Sequence, residues 1–312
     1  MVASLSNKVA LVTGSSRGIG RGIALQLGAA GAKVYVTGRR PENHEAALKD
    51  IQPNGLETVA QEITKRGGKG VAVFCDHSNP DDVKKLFERI DKENNGQLDI
   101  LVNNAYAGVN VLGYILNNTR QKFYDLDPVE SYDSANNVGL RNHYICSTYA
   151  ARLMVPRKSG LIVTVSSSGG MAYLFNIAYG IGKSGCDRLA ADIAVDLAEA
   201  NITSVSLWPG PVKTEIIHNR IIDSAEPNPI KGIFDSGETI EYSGQCVVAL
   251  AADPNATEYN GQILTTADIG RKYNLFDEGK TQPKEMAPRF REFINCLNKI
   301  RNPADYRENA KI

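Results

Sequence analysis

The sequence has few of the features that mark specialised classes of protein. Its 312 residues include 35 basic and 35 acidic side chains, so no net charge is available to attract a nucleic-acid backbone. No stretch reaches the roughly 18 consecutive apolar residues that a membrane-spanning helix needs, and the N-terminal segment lacks the pattern of a secretory signal. We therefore expect no nucleic-acid partner and no membrane span, and we expect a cytoplasmic protein.

Cysteine and histidine are sparse and scattered. The five cysteines include no closely spaced pair, which favours reduced, mostly buried thiols over a disulfide framework. None of the four histidines has a second histidine or cysteine at the spacing of a metal site. The sequence therefore predicts no structural metal.

What the sequence does contain is a regular alternation of two kinds of segment. Short runs rich in Val, Ile and Leu predict seven strands, at residues 8–13, 33–37, 70–75, 98–103, 160–166, 204–208 and 261–266. Apolar residues three and four apart predict crossover helices at residues 18–30, 79–95, 130–155, 177–200 and 239–252. This pattern predicts a single doubly wound Rossmann-type α/β domain with a seven-stranded parallel sheet.

Two polar segments and the C-terminus interrupt the alternation. Residues 41–56 and 212–238 contain many residues that break helices and strands, which predicts surface loops or short helices. We place the catalytic domain at residues 1–270 and a C-terminal extension at residues 271–312. The extension carries ten basic and six acidic side chains, so the neutral total is the sum of two oppositely charged parts.

The extension contains its own amphipathic pattern, which predicts a helix. Apolar residues at helical spacing alternate there with basic ones, and the two sets are Met286, Phe290, Phe293, Ile294, Leu297 and Ile300, and Arg289, Arg291, Lys299 and Arg301. One interpretation is a helix that docks on its own subunit or on a neighbour. The other is a helix that lies on an anionic membrane surface, such as that of the endoplasmic reticulum.

The first predicted strand runs directly into a glycine-rich loop, TGSSRGIG at residues 13–20, and then into a helix. Glycines at these positions allow a tight turn, the approach of backbone N–H groups to a pyrophosphate, and close packing of the helix on the strand. Phosphates would lie at the N-terminus of the helix, where its dipole favours anions. The expected cofactor contacts in this loop are Gly14, Ser16, Arg17, Gly18, Ile19 and Gly20.

A tyrosine, a lysine and a serine form the candidate catalytic group. Tyr179 and Lys183 are four residues apart on a predicted helix, so the ammonium lies beside the phenol. A nearby cation favours phenolate, which makes Tyr179 a candidate general acid for carbonyl reduction or general base for alcohol oxidation. A serine at the end of the fifth strand could donate to the substrate oxygen. Of the three serines at residues 166–168 we favour Ser167, with Ser166 as the alternative.

The end of the second strand bears on the choice of cofactor. Enzymes that use NAD place an acidic residue there to bind the ribose 2′-hydroxyl, whereas a 2′-phosphate needs cations. The strand ends with Gly38 in place of the acid, followed by Arg39 and Arg40. Arg39 and Arg17 could together bind a phosphate, so the sequence predicts NADP(H) as the cofactor.

With its GxxxGxG loop and the motifs that follow, the segment 7–270 resembles the short-chain dehydrogenase/reductase family. The shared motifs are TGxxxGxG at residue 13, NNA at residue 103, YxxxK at residue 179 and PGxxxT at residue 209. The resemblance implies that Asp76 contacts the adenine ring and that Asn103 belongs to the motif that steadies the sheet beside the cofactor. It also implies that Lys183 holds the nicotinamide ribose and that the nicotinamide is covered by Pro209, Gly210, Val212 and Thr214.

Two catalytic positions do not follow the family pattern in a simple way. The strand alignment with the family selects Ser167, whereas the commonest family spacing to the tyrosine selects Ser166. The family's fourth catalytic residue is an asparagine in the long helix before the fifth strand, and the alignment places Gly139 there. Asn137 is the candidate replacement, although a shift of two residues turns a side chain by about 200° around a helix.

Longer strings, among them NNAYAGV at residue 103 and YGIGKSGCDRLAAD at residue 179, resemble the animal dehydrogenase/reductase member-one subgroup of that family. The resemblance implies an NADPH-dependent carbonyl reductase that acts on ketone groups of steroids and lipophilic xenobiotics. We also expect a homo-oligomer. The alternatives are an NADP(H)-binding redox sensor or scaffold, and an NAD-dependent alcohol dehydrogenase. Substrate contacts are expected from residues 106–128 and 212–238, whose apolar content suggests a lipophilic pocket.

Overall fold

The computed structural model describes residues 4–43, 55–108, 122–224, 228, 230–283, 285, 288–300 and 303. Its centre is a sheet of seven parallel strands in the order β3-β2-β1-β4-β5-β6-β7. The strands are β1 Val9–Val12, β2 Lys33–Gly38, β3 Lys69–Phe74, β4 Ile100–Asn103, β5 Gly160–Val165, β6 Ile202–Trp208 and β7 Ile263–Thr265. All seven predicted strands are present, and the doubly wound α/β fold is confirmed.

Helices cover both faces of the sheet. The longer ones are α1 Gly18–Ala29, α2 Leu56–Lys65, α3 Pro80–Asn94, α4 Pro128–Asn136, α5 Asn142–Met154, α6 Ile177–Asp196, α7 Ile240–Ala252, α8 Thr266–Tyr273 and α9 Arg291–Ile300. Two short helices, Glu215–Ile217 and Lys231–Asp235, lie in the segment 212–238, as predicted. The apolar residues of α1, α2 and α7 form one core cluster, and those of α3 and α5 form the second on the opposite face. Because both faces are covered, consecutive residues of the central strands β1, β4 and β6 are buried, rather than every second residue.

Helix α2 corrects the sequence prediction, which placed loops or short helices at residues 41–56 and no crossover helix before the third strand. The helix begins at Leu56, and its buried residues Leu56, Val59, Ala60 and Ile63 follow helical spacing. The pattern was therefore present in the sequence, behind a stretch rich in polar residues and breakers. Most of that stretch, at residues 44–54, lies outside the described residues.

The helix predicted at residues 130–155 is interrupted. Between α4 and α5 the chain forms a π-type turn, Asn137–Arg141, in which Val138 and Gly139 leave helical geometry. Gly139 has φ of +157°, a conformation that a residue with a side chain rarely adopts. The interruption lies beside the cavity described below.

Helix α9 docks on the edge of the sheet. Ile294 is buried against Trp208 and Ile263, and the amide of Asn298 bonds to the backbone N–H and C=O of Ile263 at 2.8 and 3.0 Å. Arg291 forms ion pairs with Asp268 and Glu285. The helix thus packs on its own chain, as one of the two interpretations expects. Met286 and the side chains of Arg289, Ile300 and Arg301 lie outside the described residues.

Four cysteines are buried free thiols, and Cys296 on α9 is exposed. Among the helices that the structure describes, none is long and apolar enough to cross a membrane. Homo-oligomerisation, membrane contact through α9 and the cytoplasmic location stay predictions.

Candidate active site

Most residues predicted to bind the cofactor or the substrate line one cavity of about 800 Å³. The segments after β1, β2, β4, β5 and β6 meet there, because the strands are parallel and their carboxyl ends share an edge. The predicted residues that line it are Gly14, Ser16, Arg17, Gly18, Ile19, Gly20, Arg39, Asp76, Ser167, Tyr179, Lys183, Pro209, Gly210, Val212 and Thr214.

Two residues predicted to bind the cofactor, Arg40 and Asn103, do not line this cavity. The guanidinium of Arg40 lies 4.8 Å from the centre of the Phe74 ring and lines an adjoining pocket of about 340 Å³. The side chain of Asn103 is fully buried and donates to Ser147 Oγ at 2.8 Å. Its neighbour Asn104 lines the cavity instead. Asn103 therefore contacts the protein interior, whereas Asn104 is placed to contact a ligand.

The glycine-rich loop is fixed in a tight turn by close contacts with the segment after β4. Gly14 has φ of +63°, and a side chain there would come within 2.6 Å of the Ala105 backbone. The amide of Asn104 donates to the carbonyls of Thr13 and Gly14 at 2.9 and 2.8 Å, which fixes the turn. The loop can therefore bring backbone N–H groups close to a ligand.

The N-terminus of α1 already attracts an anionic group. Arg17 precedes the helix and provides no side-chain cap, while Gly18 N–H donates to the carboxylate of Glu215 at 2.7 Å. Unsatisfied N–H groups and the positive end of the dipole explain this preference. The loop and helix thus fit the pyrophosphate of a dinucleotide, and Gly18 and Ile19 are the residues that would hold it.

Ser167 and Tyr179 are brought together. Ser167 Oγ and Tyr179 Oη are 2.7 Å apart, and Ser167 Oγ also accepts from the N–H of Gly169 at 3.1 Å. Ser166 also lines the cavity, but its buried hydroxyl donates to the carbonyl of Lys183 at 3.0 Å. The geometry therefore favours Ser167 over Ser166 as the group that contacts a substrate oxygen.

Lys183 lies behind this pair and is 8% exposed. Its ammonium donates to the carbonyl of Val165 at 3.2 Å and lies 5.0 Å from the centre of the Tyr106 ring and 5.8 Å from that of Tyr179. The nearby His143 is fully buried, and burial, together with the positive charge of Lys183, lowers its pKa to about 3. The imidazole is therefore neutral, so it adds no second positive charge beside Lys183.

Neither nearby asparagine reaches this group. Asn137 accepts from the guanidinium of Arg141 at 3.3 Å in an exposed contact, and the amide of Asn136 donates to the carbonyl of Ala178 at 3.0 Å. The proposed replacement by Asn137 therefore lacks support in the structure, and the ring of Tyr106 lies against Gly139 instead. Within the described ranges, no group of three or more His, Cys, Asp or Glu side chains is placed to hold a metal ion.

Glu238 positions the segment that follows β6, and sequence reasoning missed it. Its carboxylate accepts from Gly210 N–H at 3.0 Å and from Thr266 Oγ at 2.5 Å. Its backbone N–H and C=O bond to Pro211 and Lys213 at 2.7 and 2.8 Å. The sequence holds no signal for this role, because a glutamate in a polar loop is ordinarily solvated.

Glu238 also makes the stability of the protein depend on pH. Burial, with the charge of Asp277 adding to it and two hydrogen bonds opposing it, raises the pKa of this carboxyl to about 7. The folded state therefore holds a proton that the unfolded chain releases, so this contribution to stability falls as the pH rises from about 4.5 to 7. We expect Glu238→Gln to remove this decrease with pH, which amounts to up to about 3 kcal/mol in the free energy of unfolding.

Urea unfolding of the wild type and of Glu238→Gln between about pH 5 and pH 8 measures this effect. The stability difference should grow in favour of the variant as the pH rises, while the exposed Glu258→Gln serves as the matched control. A difference that does not change with pH would show that the carboxyl is already ionised in the folded state.

A doubly wound sheet whose glycine-rich loop faces a Ser-Tyr-Lys group across one cavity is the arrangement of an oxidoreductase that binds a nicotinamide cofactor. The model of the short chain dehydrogenase family matches residues 8–224. The chain belongs to the short-chain dehydrogenase/reductase family, whose members act on small-molecule carbonyl or alcohol substrates.

Relatives and solved structures agree with this placement. Dehydrogenase/reductase SDR family member 1 from Mus musculus is 49% identical over 282 residues, which cover 89% of this chain and 85% of that protein. A 7α-hydroxysteroid dehydrogenase complexed with NADH and 7-oxo glycochenodeoxycholic acid has a TM-score of 0.65 at 25% identity, covering 90% of this chain and 97% of that one.

A putative NAD(P)-dependent gluconate 5-dehydrogenase from Beutenbergia cavernae with bound NADP has a TM-score of 0.68 at 25% identity. The match covers 88% of this chain and all of that one. Members of the same fold thus occur with either form of the cofactor, and the choice depends on local residues.

Proposed function

We propose that the protein is an NADPH-dependent carbonyl reductase that acts on lipophilic ketones such as steroids or xenobiotics. The observation that carries the proposal is the contact between Ser167 Oγ and Tyr179 Oη at 2.7 Å, in a cavity that also holds Lys183. Bound NADPH supplies the hydride that reduces the carbonyl carbon.

The residues of this chain provide the proton and the orientation. Tyr179 donates its phenolic proton to the carbonyl oxygen, and Ser167 donates a hydrogen bond to the same oxygen as negative charge develops there. Lys183 stabilises the negative charge that remains on Tyr179 and contacts the ribose. Because Tyr179 and Lys183 are only 9% and 8% exposed, water screens their interaction weakly.

The choice of NADPH is supported by the residues around the second strand. The strand ends in Gly38, which has no carboxylate to repel a 2′-phosphate, and both Arg17 and Arg39 line the cavity. A bidentate guanidinium suits a phosphate better than a hydroxyl.

The lipophilic substrate class is supported by an apolar part of the cavity wall. That wall contains the apolar side chains Leu174, Phe175, Ile216, Ile230, Ile233 and Phe234. They come from the segments after β5 and β6, as expected for residues 212–238, whereas residues 109–121 lie outside the described part. Removing an apolar ketone from water against such a wall is favourable.

Initial rates with NADPH and NADH, measured with steroid ketones, aromatic ketones and small hydrophilic ketones, test the proposal. We expect kcat/KM with NADPH to exceed that with NADH by about 100-fold, and apolar ketones to be preferred. Tight NADPH binding without turnover would indicate the sensor or scaffold. Faster NAD-dependent oxidation of alcohols would indicate the alcohol dehydrogenase.

A further inference from the structure

The ring of Tyr106 lies between the catalytic lysine and the interrupted helix. The ammonium of Lys183 is 5.0 Å from the centre of this ring, nearer than to the ring of Tyr179. The rings of Tyr106 and Tyr179 meet edge to face, with centres 6.1 Å apart. A cation within about 6 Å of a ring face is attracted by the electron density of that face.

The hydroxyl of Tyr106 does not explain why the residue is there. It is buried without a hydrogen-bond partner among the described residues, and a side chain on Gly108 would come within 2.2 Å of it. A buried hydroxyl without a partner costs stability rather than adding to it. The contact that Tyr106 makes with Lys183 is through the face of the ring.

Gly139 provides the space for that ring. A side chain at this position would come within 2.7 Å of Tyr106 Cδ2, and the φ of +157° would strain it. The turn is held in this shape because Gly139 N–H donates to Asn142 Oδ1 at 2.6 Å, and Gly139 C=O accepts from Cys186 at 3.1 Å. The loop that carries Tyr106 is bound to the same turn, since Ala107 N–H donates to Val138 C=O at 3.0 Å.

We propose that Tyr106 is a positioning residue of the reaction, whose ring holds the Lys183 ammonium beside Tyr179, and that Gly139 is the companion residue that makes room for it. The inference rests on the proposed function, in which Lys183 acts on Tyr179. A lysine side chain has four rotatable bonds, and a single hydrogen bond to Val165 C=O leaves its head group free to turn. The ring restricts that freedom while it stabilises the charge.

A series of aromatic replacements separates the ring face from the shape of the side chain. Residue 106 is changed to phenylalanine, to phenylalanine with one, two and three fluorines, and to leucine. Fluorine withdraws electrons from the ring face with little change in shape, so packing stays nearly constant across the series. We expect kcat for ketone reduction to fall in steps, by about tenfold from phenylalanine to the trifluorinated ring, with KM for the ketone unchanged.

A second measurement is independent of turnover. In protein labelled with 13Cε-lysine, the Lys183 resonance is assigned by its loss in Lys183→Met. We expect the Lys183 signals to be displaced upfield by the aromatic ring in the wild type and in Tyr106→Phe, and to return toward those of an exposed lysine in Tyr106→Leu.

The outcomes separate this inference from the proposed function. A kcat that does not change across the fluorinated series, or Lys183 signals that are the same in Tyr106→Leu as in the wild type, would overturn the inference. A wild type that shows the upfield displacement but reduces no ketone would support the contact and count against the proposed function alone.

Discussion

Replacing Tyr179 by phenylalanine is expected to lower kcat for ketone reduction by about three orders of magnitude. The substitution removes one oxygen, the proton donor that lies 2.7 Å from Ser167 Oγ, and keeps the ring that packs edge to face on Phe175. The fold and the cofactor loop should therefore be intact. Single-turnover reduction measured by NADPH absorbance gives the rate, and NADPH fluorescence gives the affinity.

Tyr144→Phe is the matched control, because it removes the same atom from an exposed tyrosine on α5. Its kcat should equal that of the wild type. Reduction by Tyr179→Phe at more than about a tenth of the wild-type rate would mean that water or another residue supplies the proton, and the mechanism proposed for Tyr179 would be wrong.

Replacing Arg39 by alanine is expected to weaken NADPH binding by roughly 50-fold and to leave NADH binding unchanged. Arg39 is half-buried and lines the cavity directly after β2, where the two cofactors differ by one phosphate. A charge-assisted hydrogen bond to that phosphate is lost with the guanidinium. Fluorescence titration with each cofactor measures the two affinities.

Arg40→Ala is the comparison for this experiment. Arg40 is exposed, and its guanidinium lies over Phe74 at the adjoining pocket, so its loss should change NADPH affinity less than the loss of Arg39. Equal losses of affinity for NADPH and NADH in Arg39→Ala would show that Arg39 contacts a group that both cofactors share, and not the 2′-phosphate. A larger loss in Arg40→Ala would place the phosphate at the adjoining pocket.

The sheet could be predicted well because its central strands are buried on both faces and are rich in Val, Ile and Leu. The helix at Leu56–Lys65 was missed although its four buried residues have clear helical spacing. The reason is that the helix begins inside the segment 41–56, whose polar residues and breakers such as Pro53 and Gly55 indicated a loop. The break at Gly139 was missed for a different reason: two of the groups that contact it, the ring of Tyr106 and the thiol of Cys186, are distant in the sequence.

The site could be predicted where one short motif carries the chemistry. Tyr179 and Lys183 are one helical turn apart, and the glycine loop is continuous in sequence, so local geometry places their groups. Glu238 and Tyr106 could not be found in this way. Their partners, Gly210 and Lys183, come from other segments, and only the folded chain brings them into contact.

The docking of α9 has a consequence for the outer edge of the sheet. Strand β7 is the last in the order, so on its far side its backbone could pair with a strand of another molecule. The amide of Asn298 takes up both the N–H and the C=O of Ile263 there, and Ile294 covers the apolar surface beside Trp208. The C-terminal helix thereby protects an otherwise open edge against intermolecular strand pairing and aggregation.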